Sequence, residues 1–223
     1  MFYVPKIISF GSLGLAVWFT AGLVPGDEAV EADKPVAIEV GDAAPAFTGR
    51  NDQGADWKLG EIQGKSLVVV YFYPADFTTG CTRQAELWRD NMNALSQKGV
   101  KVVGISGDRV ENHKLFKEAW KLNFTLIADE EGRIAKQFGV PVNNRGGKVR
   151  PRGPDRKPLI DDLGNPVVLE RKVTFSRWTF LIGKDGKILY KNTRVNPAKD
   201  SQQVLEFIQS LEQTESAPKT SEE

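Results

Sequence analysis

From Ser66 to Tyr73 the chain reads Ser-Leu-Val-Val-Val-Tyr-Phe-Tyr, a run of β-branched and aromatic residues with no polar alternation. That pattern predicts a central strand buried on both faces, and Pro74 ends it. The period then changes. Cys81, Ala85, Trp88, Met92 and Leu95 recur at helical spacing on one stripe, which predicts a helix that Gly99 closes. Val100 to Ser106 is the next apolar strand, so strand, helix and strand form a right-handed crossover in a parallel sheet. Leu115, Phe116, Ala119 and Trp120 mark a second helix, Phe124 to Ala128 a third strand, and Ile134, Ala135 and Phe138 a short helix stopped by Gly139. Val173 to Ile182 predicts a further strand, Lys184-Asp-Gly-Lys187 a hairpin turn, and Ile188 to Lys191 its return. Val204, Leu205, Ile208 and Leu211 predict a C-terminal helix. Asp52-Gln-Gly54, between Phe47 and Trp57, predicts an N-terminal hairpin. The fold class is α/β, with a central mixed sheet flanked by helices.

Three segments lie outside this pattern. Ile7 to Val24 is uncharged and mostly apolar behind Lys6, and a helix of that length reaches about 27 Å, enough to cross a hydrocarbon core. Residues 1–24 are therefore expected to be a signal peptide or an N-terminal membrane anchor. The expected location is exported: periplasmic, or membrane-anchored and facing outside the cytoplasm. Residues 25–37, acidic and Ala-rich, read as a linker to a domain over 38–212. Residues 213–223 lack bulky apolar side chains and read as a disordered tail. Within the domain, 141–172 is rich in Pro, Gly and charge and reads as a long loop insertion.

Composition narrows the chemistry. Lys and Arg number 30 against 29 Asp and Glu, so no overall field points to nucleic acid. The chain has one Cys and one His, which excludes an internal disulfide and argues against an intrachain zinc or iron–sulfur site. No phosphate- or dinucleotide-binding glycine motif occurs, and no metal or cofactor is expected.

The lone thiol, Cys81, sits in Pro74-Ala-Asp-Phe-Thr-Thr-Gly-Cys81 at a helix start. There it meets unpaired backbone N–H groups and the positive end of the helix dipole, both of which favour a thiolate. Thr78 can offer a hydroxyl to the sulfur or to an attacked oxygen, Gly80 permits close backbone approach, and Pro74 stiffens the entry. Arg177 falls on the inward face of its strand with Val173, Phe175, Thr179 and Leu181. A thiolate is one partner for such a cation; a carboxylate, or snorkelling at a sheet edge, are others. His113, in Glu-Asn-His-Lys at the polar start of a helix, reads as a surface residue.

The stretch Tyr71-Phe-Tyr-Pro-Ala-Asp-Phe-Thr-Thr-Gly-Cys-Thr-Arg-Gln-Ala85 resembles the active-site segment of peroxiredoxins, in the alkyl hydroperoxide reductase/thiol-specific antioxidant superfamily and especially its bacterioferritin comigratory protein-like subfamily. Gly41-Asp-x-Ala-Pro45, Val103-Gly-Ile-Ser106, Asn123-Phe-Thr-Leu126 and Arg177-x-Thr-Phe-Leu-Ile182 extend the likeness. The resemblance implies a thioredoxin-like fold and an antioxidant, thiol-dependent peroxidase acting on hydrogen peroxide or organic hydroperoxides. Pro74, Thr78, Cys81 and Arg177 would be the active-site positions, no cofactor would be needed, and the product at sulfur would be a sulfenic acid. Many members of the subfamily carry a second, resolving cysteine where this chain has Glu86. The resemblance is thus to a one-cysteine form that needs an external thiol, either a thioredoxin-like protein or a small thiol, and works as a monomer or homodimer.

A competing reading is a redox-inactive thioredoxin-like module, membrane-anchored by its leader and binding a partner through the basic 141–172 segment with Arg145, Lys148, Arg150, Arg152, Arg156 and Lys157. Thr78 and Arg177 argue against it, because a scaffold has no need to aim a hydroxyl and a cation at one thiol.

Overall fold

The computed structural model describes residues 38–216. The leader and linker expected over 1–37, and the end of the tail, lie outside the described residues. Among the described residues no helix is long and apolar enough to cross a membrane.

The continuous apolar run forms β3 (Leu67–Phe72), and the expected hairpin before it is β1 (Thr48–Asn51) against β2 (Asp56–Lys58). Then follow α1 (Thr79–Gln97), β4 (Val100–Ser106), α2 (Val110–Trp120), β5 (Thr125–Ala128) and α3 (Arg133–Gln137). β10 (Trp178–Ile182) and β11 (Ile188–Asn192) form the late hairpin, and α4 (Asp200–Ser216) closes the fold. One seven-stranded sheet runs β11-β10-β3-β4-β5-β1-β2. β3, β4 and β5 are parallel, while β10 pairs antiparallel to β3 and β1 antiparallel to β5.

β3 shows why its sequence does not alternate. Val68, Val70 and Phe72 pack with Phe138 and Phe180 on one face, whereas Val69 and Tyr71 pack with Trp88, Leu181 and Ile208 on the other. Both faces are covered, so polarity has no place on either. Cys81 belongs to the second cluster, between the sheet and the α1/α4 layer.

Four expectations need correction. The strand expected from Val173 to Ile182 is broken into β9 (Thr174–Phe175) and β10, and β9 pairs instead with β6 (Val142–Asn143). The break falls at Ser176 and Arg177, so Arg177 precedes a strand rather than lying inside one, and Val173 and Phe175 face the opposite cluster from Leu181. The 141–172 segment is not simply a loop, for besides β6 it contains β7 (Gly147–Val149) paired with β8 (Leu169–Arg171). The buried side of α2 is Asn112, His113 and Phe116, rotated from the stripe read through Leu115 and Ala119. Finally, α4 continues through Ser216, so the first residues assigned to the tail are helical.

Candidate active site

Pro74 lacks an N–H and ends β3 at the edge of the parallel layer. The chain then turns through Ala75, Asp76 and Phe77, and Phe77 adopts a left-handed backbone with φ 59°. Such a φ is a strained conformation for a bulky residue. The Phe77 ring packs on Phe116 of α2, with centroids 4.9 Å apart. Thr78 follows as the N-cap with extended backbone, but its side chain caps nothing and instead donates to Ala75 O at 3.0 Å. The amide donors of the first turn of α1, which have no intrahelical acceptors, are therefore not satisfied by the Thr78 hydroxyl.

Cys81 lies in that first turn and is buried, with 2 % of its surface exposed. Arg177, half-buried and entering from the break between β9 and β10, donates from Nη2 to Cys81 Sγ at 3.2 Å. A guanidinium donor binds a thiolate more strongly than a thiol, so the contact stabilises negative charge on sulfur. The fork is used twice. Arg177 Nη1 also donates to Gln84 Oε1, and Gln84 donates from Nε2 to Asp200 Oδ2 at 2.6 Å, where Thr179 donates too, at 2.9 Å. The Gln84 amide is held between a cation on one side and an acid on the other, which fixes its orientation. Burial pushes the Asp200 carboxyl up, against the pull of its Gln84 and Thr179 hydrogen bonds.

Of the residues expected at the site, Cys81 and Arg177 are in contact, Thr78 is the N-cap of the helix that carries Cys81, and Pro74 opens the turn leading to it. A Cβ on Gly80 would meet Arg177 Nη2 at 3.6 Å and Pro197 Cγ at 3.8 Å, ordinary contacts, so packing does not require glycine there. Glu86 is half-buried further along α1.

The surface assignment of His113 is overturned, because its side chain is fully buried. It faces Asp76 Oδ2 from Nδ1 at 2.8 Å and donates from Nε2 to Ile127 O at 3.1 Å. The flanking Glu111 and Lys114 point outward, and it was these neighbours that made the helix start look polar. Gln84 and Asp200 were also missed. Gln84 had a signal, since it falls one helical turn from Cys81 on the same face. Asp200 had none, because only folding brings α4 to it.

A family model described as the AhpC/TSA family matches residues 40–191. A chloroplastic peroxiredoxin Q from Oryza sativa subsp. japonica is 36 % identical over 175 residues, covering 78 % of this chain and 68 % of the relative. A putative peroxiredoxin bcp from Coxiella burnetii is 44 % identical over 131 residues, covering 58 % of this chain and 85 % of the relative. Among solved structures, the peroxidoxin BcpB of Mycobacterium tuberculosis superposes with a TM-score of 0.61 at 26 % identity, over 78 % of this chain and 98 % of that one.

Proposed function

The chain belongs to the AhpC/TSA family and is a thiol-dependent peroxidase, and from that premise we propose which of its residues carry the reaction. Cys81 is the nucleophile. Its thiolate attacks the terminal oxygen of hydrogen peroxide or an organic hydroperoxide; the S–O bond forms as the O–O bond breaks. The departing hydroxide or alkoxide takes up a proton and leaves as water or alcohol, and Cys81 becomes a sulfenic acid. Arg177 stabilises the thiolate and the charge that moves onto the peroxide oxygens. The Thr78 hydroxyl has its proton committed to Ala75 O, which leaves its oxygen to act as an acceptor for the hydroperoxide O–H. Pro74 keeps a backbone donor out of the turn.

Cys81 is the chain's one cysteine, so resolution comes from outside. The sulfur of an external thiol attacks Cys81, water leaves, and a mixed disulfide forms. A second thiol attacks the donor sulfur, releasing Cys81 as a thiol and the reductant as a disulfide. Hydroperoxide and a thiol reductant, small or thioredoxin-like, are the two partners this scheme requires. The donation from Arg177 to Cys81 Sγ is the observation that carries the reading. Peroxide consumption with a small thiol as reductant tests it: Cys81→Ser should abolish turnover, and retained turnover would refute the assignment.

The apolar stretch from Ile7 to Val24 supports a further reading, that the domain works outside the cytoplasm. Fractionation of cells expressing the full chain tests this, and intact protein in the soluble cytoplasm would contradict it.

A further inference from the structure

Resting on the peroxidase reading above, we propose that Asp76 and His113 are positioning residues for the reaction at Cys81. Their buried pair holds the strained turn at Phe77, and so sets where Thr78 and the first turn of α1 stand against the sulfur.

A bulky residue at φ 59° persists only where its surroundings over-determine it. Ring packing on Phe116 holds one side of Phe77, but the residue after it, Thr78, makes its side-chain bond within the same turn, to Ala75 O. The outside anchor is Asp76. Its Oδ1 accepts from Tyr73 OH at 2.7 Å, its Oδ2 faces His113 Nδ1 at 2.8 Å, and its backbone N–H donates to Asp108 Oδ2 at 2.8 Å. One residue thereby ties the turn to the end of β3, to α2 and to the segment leaving β4.

Charge balance indicates why a histidine is used. The groups packed around the pair are Tyr73 from the end of β3, Ser106 and Asp108 from the end of β4, Asn112 from α2, the Ile127 carbonyl from β5 and Arg171 from β8. Two carboxylates, Asp76 and Asp108, are buried with one permanent cation, Arg171, which donates to Asp108 Oδ1 at 2.9 Å. The Ile127 carbonyl can only accept, so His113 Nε2 carries a proton. A second proton, shared between Nδ1 and Asp76 Oδ2, makes the cluster neutral, and without it an unpaired buried charge remains. Burial alone would lower His113, but the charge and hydrogen bond of Asp76 outweigh it and His113 is raised. Burial also raises Asp76, against the pull of His113, so both directions favour keeping the shared proton.

The test compares two reactions of Cys81. Alkylation by iodoacetamide needs only the thiolate, whereas oxidation by hydrogen peroxide also needs Thr78 and the helix start in register. In Asp76→Asn and His113→Asn, the ratio of the peroxide to the iodoacetamide rate constant should fall by about tenfold to a hundredfold, the usual cost of a small misplacement. In the unmodified protein the same ratio should drop on the alkaline side, as the pair loses its proton, and that drop should be absent in His113→Asn. A ratio unchanged in both variants at every pH would overturn the proposal. Hydrogen exchange on the unmodified chain needs no variant. The amides around Phe77 and Cys81 should lose protection relative to α4 as the pair deprotonates, and equal protection throughout would also overturn it. If the unmodified chain consumed no peroxide, the peroxidase reading would fail, and the exchange measurement would still decide whether the pair holds the turn.

Discussion

Arg177 donates to the sulfur of Cys81 across 3.2 Å, although 96 residues separate them in the chain. The contact exists because β10 lies beside β3, which places the break before β10 next to the turn after β3. The same guanidinium holds Gln84, so its direction is fixed before substrate arrives.

Replacing that guanidinium separates charge from geometry. Arg177→Met removes a charge-assisted hydrogen bond worth about 1.5–3 kcal/mol, which corresponds to a peroxide rate constant lower by roughly tenfold to more than a hundredfold. Arg177→Lys restores the charge but cannot reach Sγ and Gln84 together, so it should recover only part of the loss. Stopped-flow oxidation of the three proteins checks the order, and a fully active Met variant would show that the contact is incidental.

Gln84 bridges Arg177 and Asp200, so Gln84→Leu leaves one cationic donor and one buried acid each short of a partner. Asp200 keeps Thr179 and Arg177 keeps Cys81, so each loses one bond rather than its last; the variant should lose about 1 kcal/mol of stability for each lost bond, and peroxide rate with it. Denaturant midpoints and peroxide kinetics on one preparation check this. A stability loss with an unchanged rate would mean that the amide does not aim Arg177.

The Asp76–His113 pair predicts how stability follows pH. His113 is raised above its unfolded value of about 6.5, so its contribution is complete below that pH and is lost as pH rises through the folded value. Asp76, also raised, acts in the same sense. Urea unfolding from neutral to alkaline pH should therefore show declining stability in the unmodified protein and a shallower decline in His113→Asn. Parallel slopes would contradict the assignment.

At Gly107 the chain leaves β4 so close to the stretch before β9 that a Cβ would stand 2.4 Å from Val173 O. That neighbour is backbone, so Gly107→Ala must push the segment bearing Asp108 away. A loss of about 1–3 kcal/mol is expected, the usual range for overpacking. Thermal unfolding measures it, and a variant with an unchanged melting temperature would show that the segment yields freely.

Local signals made much of the fold legible. The apolar run of β3, the helical stripe from Cys81 to Leu95, Gly99 with φ 69° after α1, and Gly186 with φ 82° in the β10–β11 turn all act over a few residues. Pro74, Thr78 and Cys81 are close in sequence, so the same local signals place them together at the end of β3 and the start of α1. Arg177 is legible as an awkward cation, but the sequence pattern overextends its strand because Val173 and Phe175 are as apolar as β10 itself. Phe175 pairs with Val142 of the 141–172 segment, whose strands are too short and too polar to show a period. The burial of His113 is hidden in the sequence because the group that makes it tolerable, Asp76, lies 37 residues away.

In the proposed cycle one thiol performs the chemistry and depends on an outside thiol for its return. Intact mass and non-reducing electrophoresis after one equivalent of hydrogen peroxide, with and without a sulfenic-acid trap, test it most directly. The expected product is a monomer that gains one oxygen at Cys81, is captured by the trap, and returns to its starting mass when a small thiol is added. An unchanged mass, or a covalent dimer through two copies of Cys81 as the main product, would contradict it.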